Sequence, residues 1–235
     1  SMKYASETSG RGLKGSAVQF QNVTFSYPGT GAPSLSDISF SVEKGQTVGI
    51  IGGTGSGKTT LVNLIARFYD ATSGQVLLDG KDIKDYTRQE LRSKIGVVPQ
   101  KAALFKGSIR DNMKWGREDA GDKEIWEALT IAQAREIVEG KEGKLDFALE
   151  QNGKNLSGGQ RQRLTIARAL VKKPEFLILD DSASALDFAT DAALRKALSR
   201  LKGQMTTFLV SQRAASIRQA DQILVLDDGM LVGTG

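Results

Sequence analysis

The fold of this chain is decided by residues 47–60, which read TVGIIGGTGSGKTT. Residues 47–51 form a short apolar run typical of a buried β-strand, and the glycine-rich segment after it fits the pattern G-x-x-x-x-G-K-[ST]. Residues 58–68 are expected to form a helix. Glycines let backbone N–H groups turn inward around phosphate oxygens, and a helix N-terminus favours negative charge. The stretch therefore predicts a strand, a phosphate-binding loop and a helix in succession.

This loop predicts contacts to a nucleotide, ATP with Mg²⁺. Lys58 is expected to reach the β- and γ-phosphates and to act in catalysis, and Thr59 is expected to ligate Mg²⁺. An ordinary glycine-rich turn is the alternative, and the strand before it and the helix after it count against that alternative. The expected ATP contacts in the loop are Gly52, Gly53, Thr54, Gly55, Ser56, Gly57, Lys58, Thr59 and Thr60.

A second apolar run, residues 176–180, ends in Asp180 and is followed by Asp181. The carboxyl edge of a parallel sheet is where ligands bind, so Asp180 is expected to hold Mg²⁺ or its water there. An acid at this point can instead cap a helix or serve a turn. A phosphate-binding loop in the same chain favours the metal-binding interpretation.

Residues 156–160 read LSGGQ and lie between these two halves of the nucleotide site. Ser157 is a plausible N-cap for a helix through residue 171. The segment combines a hydroxyl, two glycine amides and a helix N-terminus, which together make a second anion site suited to a γ-phosphate. The alternative is a glycine-containing loop with a helix cap.

The remaining pattern indicates a layered α/β chain. Residues 1–15 are polar and aperiodic and read as a flexible lead. Strand-like runs before residue 79, with a turn at Asp79-Gly80, look antiparallel, and the later alternation of strands and helices predicts a parallel core. Residues 101–170 lack strand patterns, and residues 123–138 read as one amphipathic helix, so this part looks like a helical insertion.

The order of these motifs, from about residue 18 to the end, resembles the ATP-binding cassette (ABC) family. Arg161-Gln162-Arg163 and residues 167–170 extend the match beyond LSGGQ. The resemblance implies a P-loop NTPase (RecA-like) α/β core with an antiparallel β subdomain and an inserted α-helical subdomain. The implied divisions are a core and β subdomain over 16–100 and 172–235, and a helical subdomain over 101–171.

The resemblance also implies that two such domains sandwich ATP, each giving its LSGGQ to the other's nucleotide. Gln100 matches the loop glutamine that contacts Mg²⁺ and the transport partner, and Tyr27 lies where the family stacks a ring on adenine, although a lone strand tyrosine is more often packing. The implied metal set is Thr59, Gln100 and Asp180. The set implied to face across the dimer is Ser157, Gly158, Gly159, Gln160 and Asp187, the last being equally readable as a helix cap.

Two positions depart from the family. Asp181 stands where active members carry the glutamate that polarises the attacking water, and Gln212 stands where they carry a histidine. A carboxylate displaced by about 1 Å can lower a rate about a hundredfold, and glutamine cannot shuttle a proton. The site on this chain's own loop is therefore expected to bind ATP well and cleave it poorly. That pattern resembles the degenerate half of a heterodimeric multidrug, peptide or lipid exporter.

The composition further limits the classes of function that the chain can have. The chain has 235 residues, a net charge of +5, no cysteine and no histidine, which excludes disulfides and histidine catalysis. Basic residues are scattered among acids, so nucleic-acid binding is not expected. No apolar run is long enough to cross a bilayer. Residues 104–112 resemble exporters whose membrane and ATPase parts are fused, which implies a transmembrane part upstream and a place on the cytoplasmic face of the membrane.

Two rival functions stay open from the sequence. One is an ABC ATPase that works on DNA or the ribosome without a membrane, against which residues 104–112 and the lack of long heptad runs count. The other is a non-hydrolysing, ATP-dependent regulatory module, which Asp181 and Gln212 favour and the intact LSGGQ disfavours.

Overall fold

The computed structural model describes residues 15–201 and 203–235. The predicted flexible lead lies outside these residues except for Gly15. The strands and helices below are numbered in chain order.

A six-stranded sheet forms the centre, in the order β12-β11-β3-β10-β9-β6. All neighbouring pairs are parallel except β11 with β12, which confirms the predicted parallel core. Its strands are β3 (Thr47–Gly52), β6 (Ile95–Val98), β9 (Phe176–Asp180), β10 (Thr206–Val210), β11 (Gln222–Asp227) and β12 (Met230–Thr234).

A second, antiparallel sheet has the order β2-β1-β4-β5. It comprises β1 (Ser16–Phe25), β2 (Leu35–Glu43), β4 (Ser73–Leu78) and β5 (Lys81–Asp82). The register of β1 against β2 shifts between Phe20 and Val23, where the apolar alternation slips by one residue. Asp79 and Gly80 join β4 to β5 with φ angles of 51° and 78°, as a two-residue hairpin turn requires.

Helices cover the central sheet. Those between its strands are α1 (Lys58–Ile65), α2 (Arg88–Lys94), α7 (Phe188–Ser199) and α8 (Ala214–Ile217). The stretch between β6 and β9 contains α3 (Ile109–Lys114), α4 (Asp122–Ile131), α5 (Arg135–Glu139) and α6 (Gly158–Val171). Within the described residues, no helix combines the length and the apolar character needed to span a bilayer.

Strand β9 separates two hydrophobic clusters. Successive side chains of a strand point to opposite faces. Phe176 and Ile178 accordingly pack with the antiparallel sheet and α1, whereas Leu177 and Leu179 pack with the helices of the 98–171 region. The same alternation puts Asp180, at the end of the strand, on the face of Phe176 and Ile178, toward α1.

Three details of the sequence reading are wrong. The predicted helix over 123–138 is two helices, because Gln133 adopts a left-handed φ of 62° and breaks the turn between α4 and α5. Helix α1 ends at Ile65 rather than residue 68, since Arg67 has φ of 55°. The helical insertion also contains two short paired strands, β7 (Gly107–Ser108) and β8 (Ala148–Leu149), whose two-residue length is too short to show a period.

The turn between β11 and β12 braces the glycine-rich loop. The Gly229 N–H donates to the Ser56 carbonyl at 3.0 Å, and the Gly229 carbonyl accepts from the Ser36 N–H at 2.8 Å. A Cβ at Gly229 would lie 2.4 Å from the Ser34 carbonyl oxygen, so only glycine fits. The loop is therefore fixed by residues from both ends of the chain.

Candidate functional site

A cleft of about 570 Å³ opens at the carboxyl edge of the central sheet, above β3, β9 and β10. It brings together most of the predicted site on one surface. The predicted residues that line it are Gly53, Thr54, Gly55, Ser56, Gly57, Lys58, Thr59, Thr60, Gln100, Asp180, Asp181 and Gln212.

The loop between β3 and α1 has the geometry of an anion cradle. Gly55 and Gly57 adopt φ angles of 74° and 104°, which L side chains rarely tolerate. Gly57 caps α1 without any side-chain hydrogen bond, and the first turn of α1 contains no acid. Added Cβ atoms at Gly53 and Gly55 would enter open space. The N-terminus of α1 therefore presents free N–H groups and its positive dipole end to the cleft.

Lys58 places its ammonium group at the loop itself. Its Nζ donates to the Gly52 carbonyl and, at 3.1 Å, to the Gly53 carbonyl. Nearby, the buried Ser56 hydroxyl has no hydrogen-bond partner in the protein. Anionic oxygens entering the loop would meet both a cation and an available hydroxyl.

Asp180 and Thr59 line the cleft side by side, within hydrogen-bonding distance of each other. Burial raises the pKa of the Asp180 carboxyl, while a hydrogen bond from Thr59 opposes that rise. Together with Gln100 they offer hard oxygen donors of the kind Mg²⁺ prefers. Over residues 15–201 and 203–235 there is no cluster of three histidine, cysteine, aspartate or glutamate side chains. In nucleotide sites Mg²⁺ usually takes its remaining ligands from phosphate oxygens and water.

Asp181 and Gln212 follow neighbouring strands, and the Asp181 N–H donates to the Val210 carbonyl at 2.7 Å. Asp181 has φ of 50° and accepts a hydrogen bond from Gln100 Nε2 at 3.3 Å. Burial raises the pKa of the Asp181 carboxyl against the opposing charges of Arg213 and Lys58. Gln212 is exposed and lines the same cleft.

Two residues predicted to bind ATP do not line this cleft. Tyr27 packs its ring edge-on against Phe25 and Tyr69, and its hydroxyl pairs with Thr60 Oγ1 at 2.9 Å. It therefore reaches the loop through Thr60. Gly52 lies in an adjoining cleft, and a Cβ there would come within 2.4 Å of Ser56 Oγ, so its role is to make room for the loop.

The LSGGQ segment lies outside the cleft. Ser157 Oγ caps α6 by accepting from the Gln160 N–H at 3.1 Å, and Gln160 Oε1 accepts from the Ser157 N–H at 3.1 Å. The predicted cap and helix are thereby confirmed. Gly158 and Gly159 begin α6, and Asp187 caps α7 by accepting from the Thr190 N–H, which holds the pKa of Asp187 below its usual value.

Some residues that line the cleft were not predicted from the sequence. They come from the loop after Tyr27, from the end of β10 and from the β11–β12 turn: Thr30, Ala32, Pro33, Ser34, Val210, Ser211, Asp228 and Gly229. The glycines and prolines of residues 28–33 and the Asp228-Gly229 pair were visible as turn signals. Their arrival at the cleft depends on long-range packing that no local pattern records.

The parallel sheet, the glycine-rich loop at its carboxyl edge and the strand-terminal Asp180 define a P-loop nucleotide-binding fold. The sequence profile of the ABC transporter family matches residues 35–184. The chain belongs to this family, as an ATP-binding domain of the ABC exporter type. It aligns over 94% of its length, at 37% identity and a TM-score of 0.89, with a bacterial Atm1-family ABC exporter with ATP bound, 39% of whose chain is covered.

Curated relatives agree. The chain is 46% identical to an uncharacterized ABC transporter ATP-binding protein of Mycobacterium tuberculosis, with 93% of this chain and 38% of the relative aligned. It is 44% identical to the β-(1→2)glucan export ATP-binding/permease protein NdvA of Rhizobium johnstonii, with 100% and 40% aligned. It is 42% identical to a putative multidrug export ATP-binding/permease protein of Staphylococcus aureus, with 95% and 39% aligned. The chain thus spans about two fifths of the length of these relatives.

Proposed function

We propose that this chain binds and hydrolyses ATP to drive export of a substrate across a membrane, at its cytoplasmic face. The observation that carries the proposal is the cleft that joins the Lys58 loop, the Thr59–Asp180 pair and Gln100 at one sheet edge. The permease names of the relatives, and the larger length of those proteins, support a transmembrane part in the same polypeptide, upstream of this domain.

The roles of the cleft residues follow from their chemistry. Lys58 and the free N–H groups of α1 hold the β- and γ-phosphates, and Tyr27 lies beside the loop, where it is proposed to meet adenine. Thr59, Gln100 and Asp180 are the proposed Mg²⁺ ligands. The cation, when bound, neutralises charge on the phosphate oxygens.

A second ATPase domain is proposed as the partner. The LSGGQ segment offers an anion site at the start of α6, yet none of its residues lines the cleft of its own chain. The hydroxyl of Ser157 accepts within its own helix and keeps its hydrogen free to donate. A γ-phosphate held by the loop of a facing domain would satisfy this group, together with Gly158, Gly159, Gln160 and Asp187.

Within such a pair, the cleft of this chain is proposed to be the weakly hydrolytic one. Asp181 is shorter than glutamate, and its carboxylate is hydrogen-bonded to Gln100. Gln212 lines the cleft but has no proton to exchange. The partner is therefore proposed to be a different chain with a complete catalytic set, which makes the exporter a heterodimer.

A non-hydrolysing regulatory module is the second candidate, favoured by the same two residues, Asp181 and Gln212. The capped and accessible LSGGQ segment instead favours ATP hydrolysis at the partner's nucleotide site. Turnover by the complete complex decides between the two, because a regulatory module would bind ATP without any turnover that depends on Ser157.

Titration calorimetry with Mg²⁺ and ATP tests the binding site. Lys58→Ala removes the cation of the loop, so we expect ATP affinity to fall at least tenfold, which corresponds to about 1.4 kcal/mol. Lys44→Ala is the matched control, because Lys44 is exposed and pairs with Asp79 away from the cleft. Equal ATP affinity in Lys58→Ala and the unmodified domain would refute the assignment of the cleft.

A further inference from the structure

Gln162 lies in the first turns of α6, just after LSGGQ, and is 6% exposed. Its side-chain amide contacts two other loops. The Nε2 group donates to the Gln100 carbonyl at 3.3 Å and to Ser184 Oγ at 3.4 Å, and Oε1 accepts from the Ala185 N–H at 2.9 Å. One buried amide therefore joins α6 to the Gln100 loop and to the segment 184–187 before α7.

The segment 184–187 is held from the other side as well. Arg213 Nη2 donates to the Ser184 carbonyl at 2.9 Å, and Arg213 directly follows Gln212 of the cleft. A Cβ at Gly159 would lie 3.1 Å from the Ala185 carbonyl oxygen, so the backbone of the segment packs closely on the start of α6. Residues 184 and 185 thus sit between the LSGGQ helix and the loop that carries Gln212.

The same network reaches the cleft. Gln100 gives its backbone carbonyl to Gln162 and its side-chain amide to Asp181. A movement of Gln100 on binding of Mg²⁺ and ATP would therefore act on Gln162, and through it on Ser184 and Ala185. No other described side chain is shown to bond both the Gln100 loop and the segment 184–187.

A buried polar side chain often does nothing more than satisfy its own hydrogen bonds in the core. Thr165, one turn further along α6 and also buried, shows that case, since its hydroxyl bonds only to the Arg161 carbonyl of its own helix. Gln162 differs because all three of its bonds leave the helix. Its amide also uses donor and acceptor at once, which neither a carboxylate nor an apolar side chain of the same size can do.

We propose that Gln162 is a positioning residue that couples the Gln100 loop to the segment 184–187, and so couples the nucleotide cleft of this domain to the surface that faces its partner. This inference rests on the proposed two-domain exporter. It assigns to Gln162 no contact with ATP. Its loss is expected to lower turnover at the partner's site while this chain's own ATP affinity is preserved.

The test uses the full exporter with its natural partner and measures steady-state ATP turnover. Gln162→Met keeps the size and removes both hydrogen-bonding functions, and Gln162→Glu keeps only the acceptor. We expect each to reduce turnover about tenfold, since the loss of one to three buried hydrogen bonds is of that order. Thr165→Val is the matched control, expected to keep turnover within about twofold.

Two further measurements separate positioning from folding. Calorimetry should give an ATP affinity at the Lys58 site unchanged in Gln162→Met. The lost hydrogen bonds should lower the melting temperature of Gln162→Met below that of Thr165→Val, while both variants stay fully folded at the assay temperature. Ser184→Ala combined with Gln162→Met should be no worse than Gln162→Met alone, because the two act through one contact. Unchanged turnover in Gln162→Met, or a loss that parallels lost ATP affinity or lost folding, would overturn the inference. If the unmodified chain fails to bind ATP, it is the proposed function that fails.

Discussion

Asp181 combines two properties at the residue scale. Its φ of 50° lies in the left-handed region, where aspartate is tolerated better than most residues because its short polar side chain bonds locally. Its carboxylate is one methylene shorter than that of a glutamate. The backbone of this position thus accommodates aspartate, the residue proposed to weaken hydrolysis at this site.

Restoring the family's residues tests this view. Asp181→Glu together with Gln212→His extends the carboxylate by one methylene and supplies a group that titrates near neutral pH. We expect ATP hydrolysis by a concentrated preparation of this chain alone to rise by about one to two orders of magnitude. Each single variant serves as the control for the other. No rise in the double variant would contradict the proposal that Asp181 and Gln212 limit hydrolysis at this site.

Asp180 links the site to stability. Burial raises its pKa from the ordinary 3.8, so the folded state holds the proton more tightly than the unfolded state does. The stability associated with that proton is present at low pH and is lost as pH rises through the folded pKa.

We therefore expect Asp180→Asn, which keeps an acceptor for Thr59, to melt about 1–3 °C higher than the unmodified domain at pH 7 to 8 without nucleotide. The gain should shrink as the pH falls through the folded pKa and below the ordinary value of 3.8, where the aspartate is protonated in both states. Thermal melts across this range are the measurement. A lower melting temperature at pH 8 would contradict the expectation.

The residue scale also shows what a sequence can and cannot predict about the site. The loop from Gly53 to Thr60 and the strand-terminal Asp180 were predictable because each contact follows from local geometry. Ser34 and Asp228 were not, because their places in the cleft depend on contacts between distant parts of the chain, such as the bonds of Gly229 to Ser36 and Ser56. In the sequence, Gln162 was visible only as part of the stretch that extends LSGGQ. Its bonds to two distant loops could be identified only in the folded structure.

At the scale of elements, the fully buried Asn112 of α3 fixes the loop before that helix through its side-chain hydrogen bonds. Its Oδ1 accepts from the Phe105 N–H at 3.1 Å, and its Nδ2 donates to the carbonyls of Phe105 and Ser108 at 3.0 Å. Three backbone groups therefore depend on one side chain.

Asn112→Leu should leave these groups without partners. We expect the free energy of unfolding, from urea denaturation, to fall by about 2–4 kcal/mol. Asn155→Ala is a milder control, because Asn155 is half-buried and makes comparable bonds to Glu150 and Ala148. An effect of Asn112→Leu below about 1 kcal/mol would show that the loop finds other partners.

Elements were predicted best where their signals are local. The helix after Ser157 began as expected because its capping box lies within four consecutive residues, and it ended as expected because Pro174 follows closely. The break at Gln133 was missed because Leu129, Ala132 and Val138 all pack in one cluster, so the apolar pattern continues across two helices. Hydrophobic periodicity indicates which face of a helix is buried, but it does not reveal a single residue in the left-handed conformation.

At the scale of the whole molecule, the two proposed anion sites of this chain are expected to bind different ATP molecules. The Lys58 cleft is expected to hold its own ATP, and Ser157 is expected to face the ATP of the partner. A preorganised donor to a transition-state oxygen contributes about 3 kcal/mol, or a hundredfold or more in rate.

We therefore expect Ser157→Arg, in the complex with the natural partner, to nearly abolish ATP turnover and transport, whereas Asp181→Asn should leave much of both. Steady-state hydrolysis and transport by the two variants are the measurements. Equal damage from both substitutions would show that the Lys58 cleft is itself catalytic and that the proposed asymmetry is wrong.

Strand β3, which leads into the loop, has β10 and β11 as its neighbours in the sheet. Both are made only after residue 205, and the brace at Gly229 comes later still. On a ribosome that adds roughly 5–20 residues per second, the first neighbour of β3 is synthesised about 10 to 30 s after β3 itself. The nucleotide loop is thus synthesised well before the strands that flank β3 and the turn that braces the loop. We therefore expect a nascent chain to bind ATP only after the β11–β12 turn has left the exit tunnel.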